Sequence, residues 1–134
     1  MYLAFALVPE KVALLRGKPL ARALRAALDA SKQSAEVDEA GDDVKVRFPG
    51  AAFDVHPEEG KHVLVESADL AGQPKIRSKK GLADEVRACA RRIEVSGADD
   101  PQMDHFNEYL SVVQALEMAL PGVLLLDPRE GEVI

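Results

Sequence analysis

The apolar and polar positions of this chain follow two different periods, and a few runs follow neither. Residues 2–8, YLAFALV, are apolar without a break and end at Pro9, the pattern of a strand buried on both faces. The run has no basic flank before it and no small-residue cleavage site after it. It is also far shorter than the ~20 residues that span a bilayer, so it reads as core. Pro9 and Pro19 each suit a first helical position, with Gly17 interrupting between them. This predicts a short helix over 9–16 and a longer one over 19–30. In the longer one Leu20, Leu24, Ala27 and Leu28 recur at helical spacing, with Arg22, Arg25 and Asp29 on the other side.

The middle of the chain changes period. Val44, Val46 and Phe48 alternate with Lys45 and Arg47, Phe53 and Val55 alternate with Asp54 and His56, and HVLVE sets Val63 with Val65. Three alternating runs joined by the turns PGAA and PEEGK predict an antiparallel three-strand meander over 44–48, 53–56 and 62–66. Matching the apolar faces pairs Phe48 with Phe53, Val46 with Val55 and Val55 with Val63. The same register sets Arg47 opposite Asp54 and His56 opposite His62 on the outer face.

The acidic stretch 32–43 and the stretch 68–81, basic in its second half, read as loops. A helix over 82–92 carries Leu82, Val86 and Cys89 inward and leads to a strand over 92–95. A further helix is expected from Pro101 or Gln102 to Leu120, stopped by Pro121–Gly122, and then a buried strand over 123–127. The reading is a single α+β domain over 1–134 in the order β-α-β-β-β-α-β-α-β, with a mixed sheet and helices on one face.

Composition narrows the function classes. The chain is 47% hydrophobic but only 4% aromatic, so its core is aliphatic and base stacking on aromatic platforms is disfavoured. A net charge of −6 argues against phosphate-backbone binding, so no nucleic-acid partner and no anionic membrane surface is expected. Cys89 is the lone cysteine, which excludes an internal disulfide and suits a cytoplasmic setting. The frames GxxxxGK[ST], HExxH, GxSxG and the twelve-residue EF-hand are absent, so no cofactor is expected and an enzyme ranks behind a binding protein.

One stretch, DDPQMDHFNEYL at 99–110, is dense in groups that bind metals or move protons. Asp99 and Asp100 before Pro101 suit a helix start, where carboxylates meet the positive end of the helix dipole. On the helix that follows, Phe106, Tyr109, Leu110, Val113, Leu116 and Leu120 form the expected core stripe, with Asp104 and Glu108 toward water. His105 falls on the flank, within reach of Glu108, and Glu117 falls in the stripe with Asn107 and Gln114 along its edge. Asp104, His105, Asn107, Glu108, Gln114 and Glu117 are therefore the candidate partner- or ligand-binding residues. His56 and His62, with Asp54 and Glu66 near them, are the weaker candidates for a metal, against the repulsion of Lys45.

The leading expectation is a small acidic protein-binding module, of the inhibitor or immunity type, that neutralises a partner protein. A second is a small enzyme or a ligand- or metal-binding sensor that uses the 98–108 loop–helix junction. A third is a homodimeric structural subunit that buries the outer face of the meander.

Overall fold

The uninterrupted apolar run becomes a strand with a core on each side. In the computed structural model, which describes residues 1–134, β1 (Tyr2–Leu7) pairs with β5 (Arg91–Gly97) on one side and β6 (Leu124–Asp127) on the other. Beyond β5 lie β4 (Ala51–Glu59), β3 (Asp43–Phe48) and β2 (Glu36–Ala40), and beyond β6 lies the two-residue β7 (Glu132–Val133). The seven-stranded order is β2-β3-β4-β5-β1-β6-β7. Every neighbouring pair is antiparallel, so the α+β sheet is not mixed as expected. The long excursion between β4 and β5 returns the chain beside β4 in the reverse direction, and no parallel crossover is made.

Helices cover both faces, not one. Helices α1 (Gly17–Ala30) and α5 (Phe106–Ala119) bury Leu20, Leu24, Leu28, Val112, Val113 and Leu116 against Val44, Val46, Val55, Ile93 and Val95. Each such leucine contributes about 1.5–3 kcal/mol by leaving water. On the opposite face α2 (Lys61–Ala71), α3 (Pro74–Arg77) and α4 (Lys80–Arg87) set Leu70, Ala71, Ile76 and Val86 against Phe5, Leu7 and Leu126. This second layer covers the β1 half of its face and leaves the β2–β4 half open, where Arg47 pairs with Asp38 and Lys45 with Asp54.

The meander exists but is displaced by one strand. Residues 62–66 are not a strand; they lie in α2. Val63, Ser67, Leu70 and Ala71 are the buried positions there, a helical spacing, whereas Val65 is 59% exposed. The first strand of the meander is instead β2, inside the stretch expected to be a loop. Val37 is its one buried side chain, so an edge strand of this kind carries almost no apolar signal.

The β3–β4 register is slipped by two residues. Val46 pairs with Phe53, Val44 with Val55 and Phe48 with Ala51, and Lys45 rather than Arg47 faces Asp54. A tight turn at Pro49–Gly50, with Gly50 at φ +82°, sets this pairing. A slip of two keeps every side chain on its face, which is why alternation alone does not detect it.

Two helix starts also move. Residues 9–16 form no helix; Arg91 donates to the carbonyls of Pro9 and Val12 and holds that segment irregular. Helix α5 begins at Phe106, not at Pro101 or Gln102, for a reason that lies in the site described below.

Gly97 shows how tightly one end of the sheet is packed. It sits between Tyr2 of β1 and Phe53 of β4 in register, and a Cβ there would lie 2.7 Å from Phe53 Cδ1. Gly97→Ala therefore forces the buried Phe53 ring to move, and it is expected to cost about 1–3 kcal/mol in urea unfolding. An unchanged midpoint would show that the ring has room to give.

Candidate functional site

Aromatic side chains are scarce in the chain and concentrated in the fold. Of two tyrosines and four phenylalanines, all but Phe5 lie in one cluster of Tyr2, Phe48, Phe53, Phe106 and Tyr109. Tyr2 stacks on Tyr109 at 4.7 Å between ring centroids and meets Phe53 edge-on at 5.9 Å. The loop from 98 to 105 closes over this cluster.

Asp100 closes that loop. Its carboxylate accepts the Tyr2 hydroxyl at 2.6 Å, the backbone N–H of His105 at 2.8 Å and that of Asp104 at 3.1 Å. These hydrogen bonds hold its carboxyl below the usual aspartate range, the Tyr2 hydroxyl contributing most. Tyr2 is pushed up to about 12, first by loss of water around the phenol and then by the bond to Asp100. Satisfying the amides of 104 and 105 from outside makes residues 100–105 a closed loop and delays the helix to Phe106. Asp100 thus caps the chain as expected of its type, but through a loop rather than a first-turn proline.

Met103 is the strained residue of that loop. Its φ of +56° lies in the left-handed region, unfavourable for an unbranched side chain that is not asparagine or glycine. The strain is not repaid by burial, since Met103 is 57% exposed. Phe106, three residues on, is 36% exposed; Asp104 lies between the two in sequence and Glu108 follows, while Asp99 pairs with the N-terminal ammonium at 2.8 Å.

A groove of about 430 Å³ runs beside the loop, lined by Tyr2, Gly50, Phe53, Asp99, Asp100 and His105 among others. His105 packs its ring against the β3–β4 turn, where a Cβ on Gly50 would lie 3.2 Å from His105 Cε1. His105 Nδ1 stands 4.0 Å from Glu108 Oε1, too far for a hydrogen bond. His105 Nδ1 and Glu108 Oε2 are the two buried side-chain polar atoms in the molecule without a partner.

Of the candidates read from the sequence, Asp104, His105 and Glu108 come together here. Asn107, Gln114 and Glu117 do not; all three are exposed along the outer side of α5. Glu117 therefore lies outside the buried stripe in which its spacing sets it. Val112 and Ala115, rather than Phe106 and Leu110, complete that stripe with Tyr109, Val113 and Leu116, which turns it away from Glu117. Tyr2, from the far end of the sequence, is the residue that sequence reasoning missed, because only strand pairing brings it to Asp100.

The histidines expected to face each other across strands sit differently. His56 is on β4 and His62 on α2, and each approaches Glu58, with His56 Nε2 at 3.2 Å and His62 Nε2 at 4.0 Å. Glu58 is held by Arg92, whose Nη2 and Nε lie 2.7 and 2.9 Å from Oε2. Arg92 is only 4% exposed; its guanidinium also pairs with Glu66 and lies 4.0 Å above the Phe5 ring. No group of three or more His, Cys, Asp or Glu side chains is placed to hold a metal ion. Arg92 puts a fixed positive charge where a cation would have to sit.

Glu94 beside them is raised by burial and then by the charge of Glu58. This network is a seam between the covered and open halves of one sheet face.

No helix is long and apolar enough to cross a membrane. Comparison with known proteins gives no match to a family model, a curated protein or a solved structure.

His56 offers a check on the seam. Its Nδ1 donates to Asp43 Oδ1 at 2.6 Å, and that bond, working against desolvation, raises its pKa above the ordinary 6.5. A raised folded-state pKa means that the contact stabilises the fold fully below about pH 6.5 and is lost as pH rises through the folded value. Asp43→Asn is expected to lower the His56 titration midpoint in NMR. The stability gap between the two proteins should be present at mildly acidic pH and should close in alkali. An unmoved midpoint would assign the shift to another neighbour.

Proposed function

We propose that the protein is a binding module for another protein, docking through Met103 and Phe106 onto an apolar surface of its partner that is ringed by lysine and arginine. The observation that carries this reading is Met103, held at φ +56° by the Asp100-closed loop and directed to solvent. Backbone strain that serves no internal packing points to a role outside the molecule. The surroundings fit an interface, with exposed apolar side chains at the centre and carboxylates at the rim. The net charge of −6 favours encounter with a basic surface. An inhibitor or immunity-type protein that neutralises such a partner is the specific form we favour. The lone thiol, Cys89, buried among apolar side chains, suits work in the cytoplasm.

A second reading rests on the two partnerless buried atoms, His105 Nδ1 and Glu108 Oε2. A small polar ligand in the adjacent groove would satisfy both, with His105 as acid, base or donor.

A photo-crosslinking residue at position 103, compared with one at the exposed Lys80, distinguishes these readings. The expected result in cells is one discrete protein adduct from position 103 and none from 80. Affinity for that protein should fall about tenfold or more in Phe106→Asp, as for a central contact residue, and should weaken with salt. Equal or absent crosslinking at both positions would overturn the proposal. Ligand binding lost in His105→Ala, without a protein adduct, would support the second reading.

A further inference from the structure

The other end of the sheet carries an open edge with cations above it. Strand β2 is the outermost strand, and α1 lies along it in the reverse direction. Gly17 at the start of α1 donates its N–H to the Asp42 carbonyl beyond the end of β2, and Arg25, two turns later, donates from Nη2 to the Val37 carbonyl at 2.6 Å. That carbonyl faces away from β3: the two-residue turn at Gly41–Asp42 makes Ala40 and Asp43 a hydrogen-bonded pair, and by alternation Val37 and Val46 are a non-hydrogen-bonded one. In an antiparallel edge strand the groups of alternate residues point outward, so the N–H and C=O of Glu39 share this direction with those of Val37. A groove of about 390 Å³ follows the edge, with Lys18, Arg22 and Arg25 on its helix side. None of the three forms an ion pair within the molecule, although acids outnumber bases 23 to 17 in the chain.

We propose that this groove takes an extended acidic segment of another protein as an eighth strand beside β2, with Lys18, Arg22 and Arg25 receiving carboxylates carried at alternate positions.

Spacing supports alternate positions. Lys18 to Arg22 is four residues of helix, about 6 Å, Arg22 to Arg25 is three, about 4.5 Å, and two residues of strand advance about 6.6 Å. Lys18 and Arg22 therefore match successive same-face side chains of an added strand, and the long Arg25 side chain, on the same stripe of α1, spans the remaining difference to the next. Two carboxylates line the groove, but Asp38 is paired with Arg47, which leaves Glu39 alone against the three cations. Arg25, now on the Val37 carbonyl, would exchange that acceptor for a carboxylate as the incoming backbone takes its place.

The occupant is not a second copy. Antiparallel pairing of β2 with itself would set Glu36 and Asp38 of one copy against those of the other on the opposite face, and like charges facing across strands are destabilising. This inference stands on residues remote from Met103 and does not rest on the proposal made for that end.

The test uses the intact protein and a capped decapeptide of alternating Thr and Glu. Two controls accompany it: the same peptide with Gln for Glu, and one with its five Glu in a block. NMR is expected to report shifts and slowed hydrogen exchange at the Val37 and Glu39 amides with the alternating peptide. Affinity should fall about tenfold or more in the double variant Lys18→Glu, Arg22→Glu, and with added salt. Lys80→Glu, which removes an exposed cation from α4 on the opposite face of the sheet, should leave it unchanged. Lys18 and Arg22 are both exposed, so folding of the double variant is checked by its unchanged spectrum elsewhere. Equal binding of the Gln or block peptide would overturn the proposal. So would β2 amides that do not respond, or a free protein that already dimerises with those amides protected.

Discussion

The rest of the molecule depends on β1 being buried on both faces. A strand in the middle of a sheet alternates its side chains between two environments, and here both are dry. Ala4, Ala6 and Val8 feed one core, and Phe5 and Leu7 feed the other. The alanines keep the α5 side thin, and the large residues fill the α2–α4 side. Two helical layers are thereby fixed to one six-residue strand. A polar residue at any of these positions would be buried without a partner, at a cost of roughly 1–3 kcal/mol or more.

The same strand positions the chemistry. Its first residue, Tyr2, reaches out of the sheet to stack on Tyr109 and to donate to Asp100. Its third partner along β5, Val95, and the flanking Glu94 and Arg92 carry the register on to β4, where Glu58 and His56 wait. The closed loop at one end and the charged seam across one face are thus two products of a single register. They differ in what they hold. The loop presents apolar side chains beside acids, of which Asp99 pairs with the N-terminal ammonium, whereas the seam ties Glu58 and Glu66 to the buried Arg92.

Some of this was legible in the sequence. The run 2–8 declared itself as a doubly buried strand because nothing polar interrupts it, and α1, α5, β3 and β4 followed from clear periods. The failures have physical causes. HVLVE alternates for five residues, and only the longer spacing of Val63, Ser67 and Leu70 exposes it as helix. EVDEA hides β2 because an edge strand beneath one helix needs a single buried side chain. In the candidate site, Asp104, His105 and Glu108 were readable from local spacing. The grip of Tyr2 on Asp100 was not, because 98 residues separate them and only tertiary pairing joins them. The left-handed turn at Met103 was equally silent, since its cause is the Asp100 carboxylate drawing in two downstream amides.

Asp100, through the Tyr2 hydroxyl and the amides of Asp104 and His105, holds the 100–105 loop shut beside the aromatic cluster and so presents Met103 and Phe106. Amide hydrogen exchange in Asp100→Ala measures this directly. The amides of Asp104 and His105 are predicted to lose their protection, while those of the β1–β5 ladder keep theirs. Unchanged protection at 104 and 105 would contradict the claim, because the loop would then be held by something other than that carboxylate.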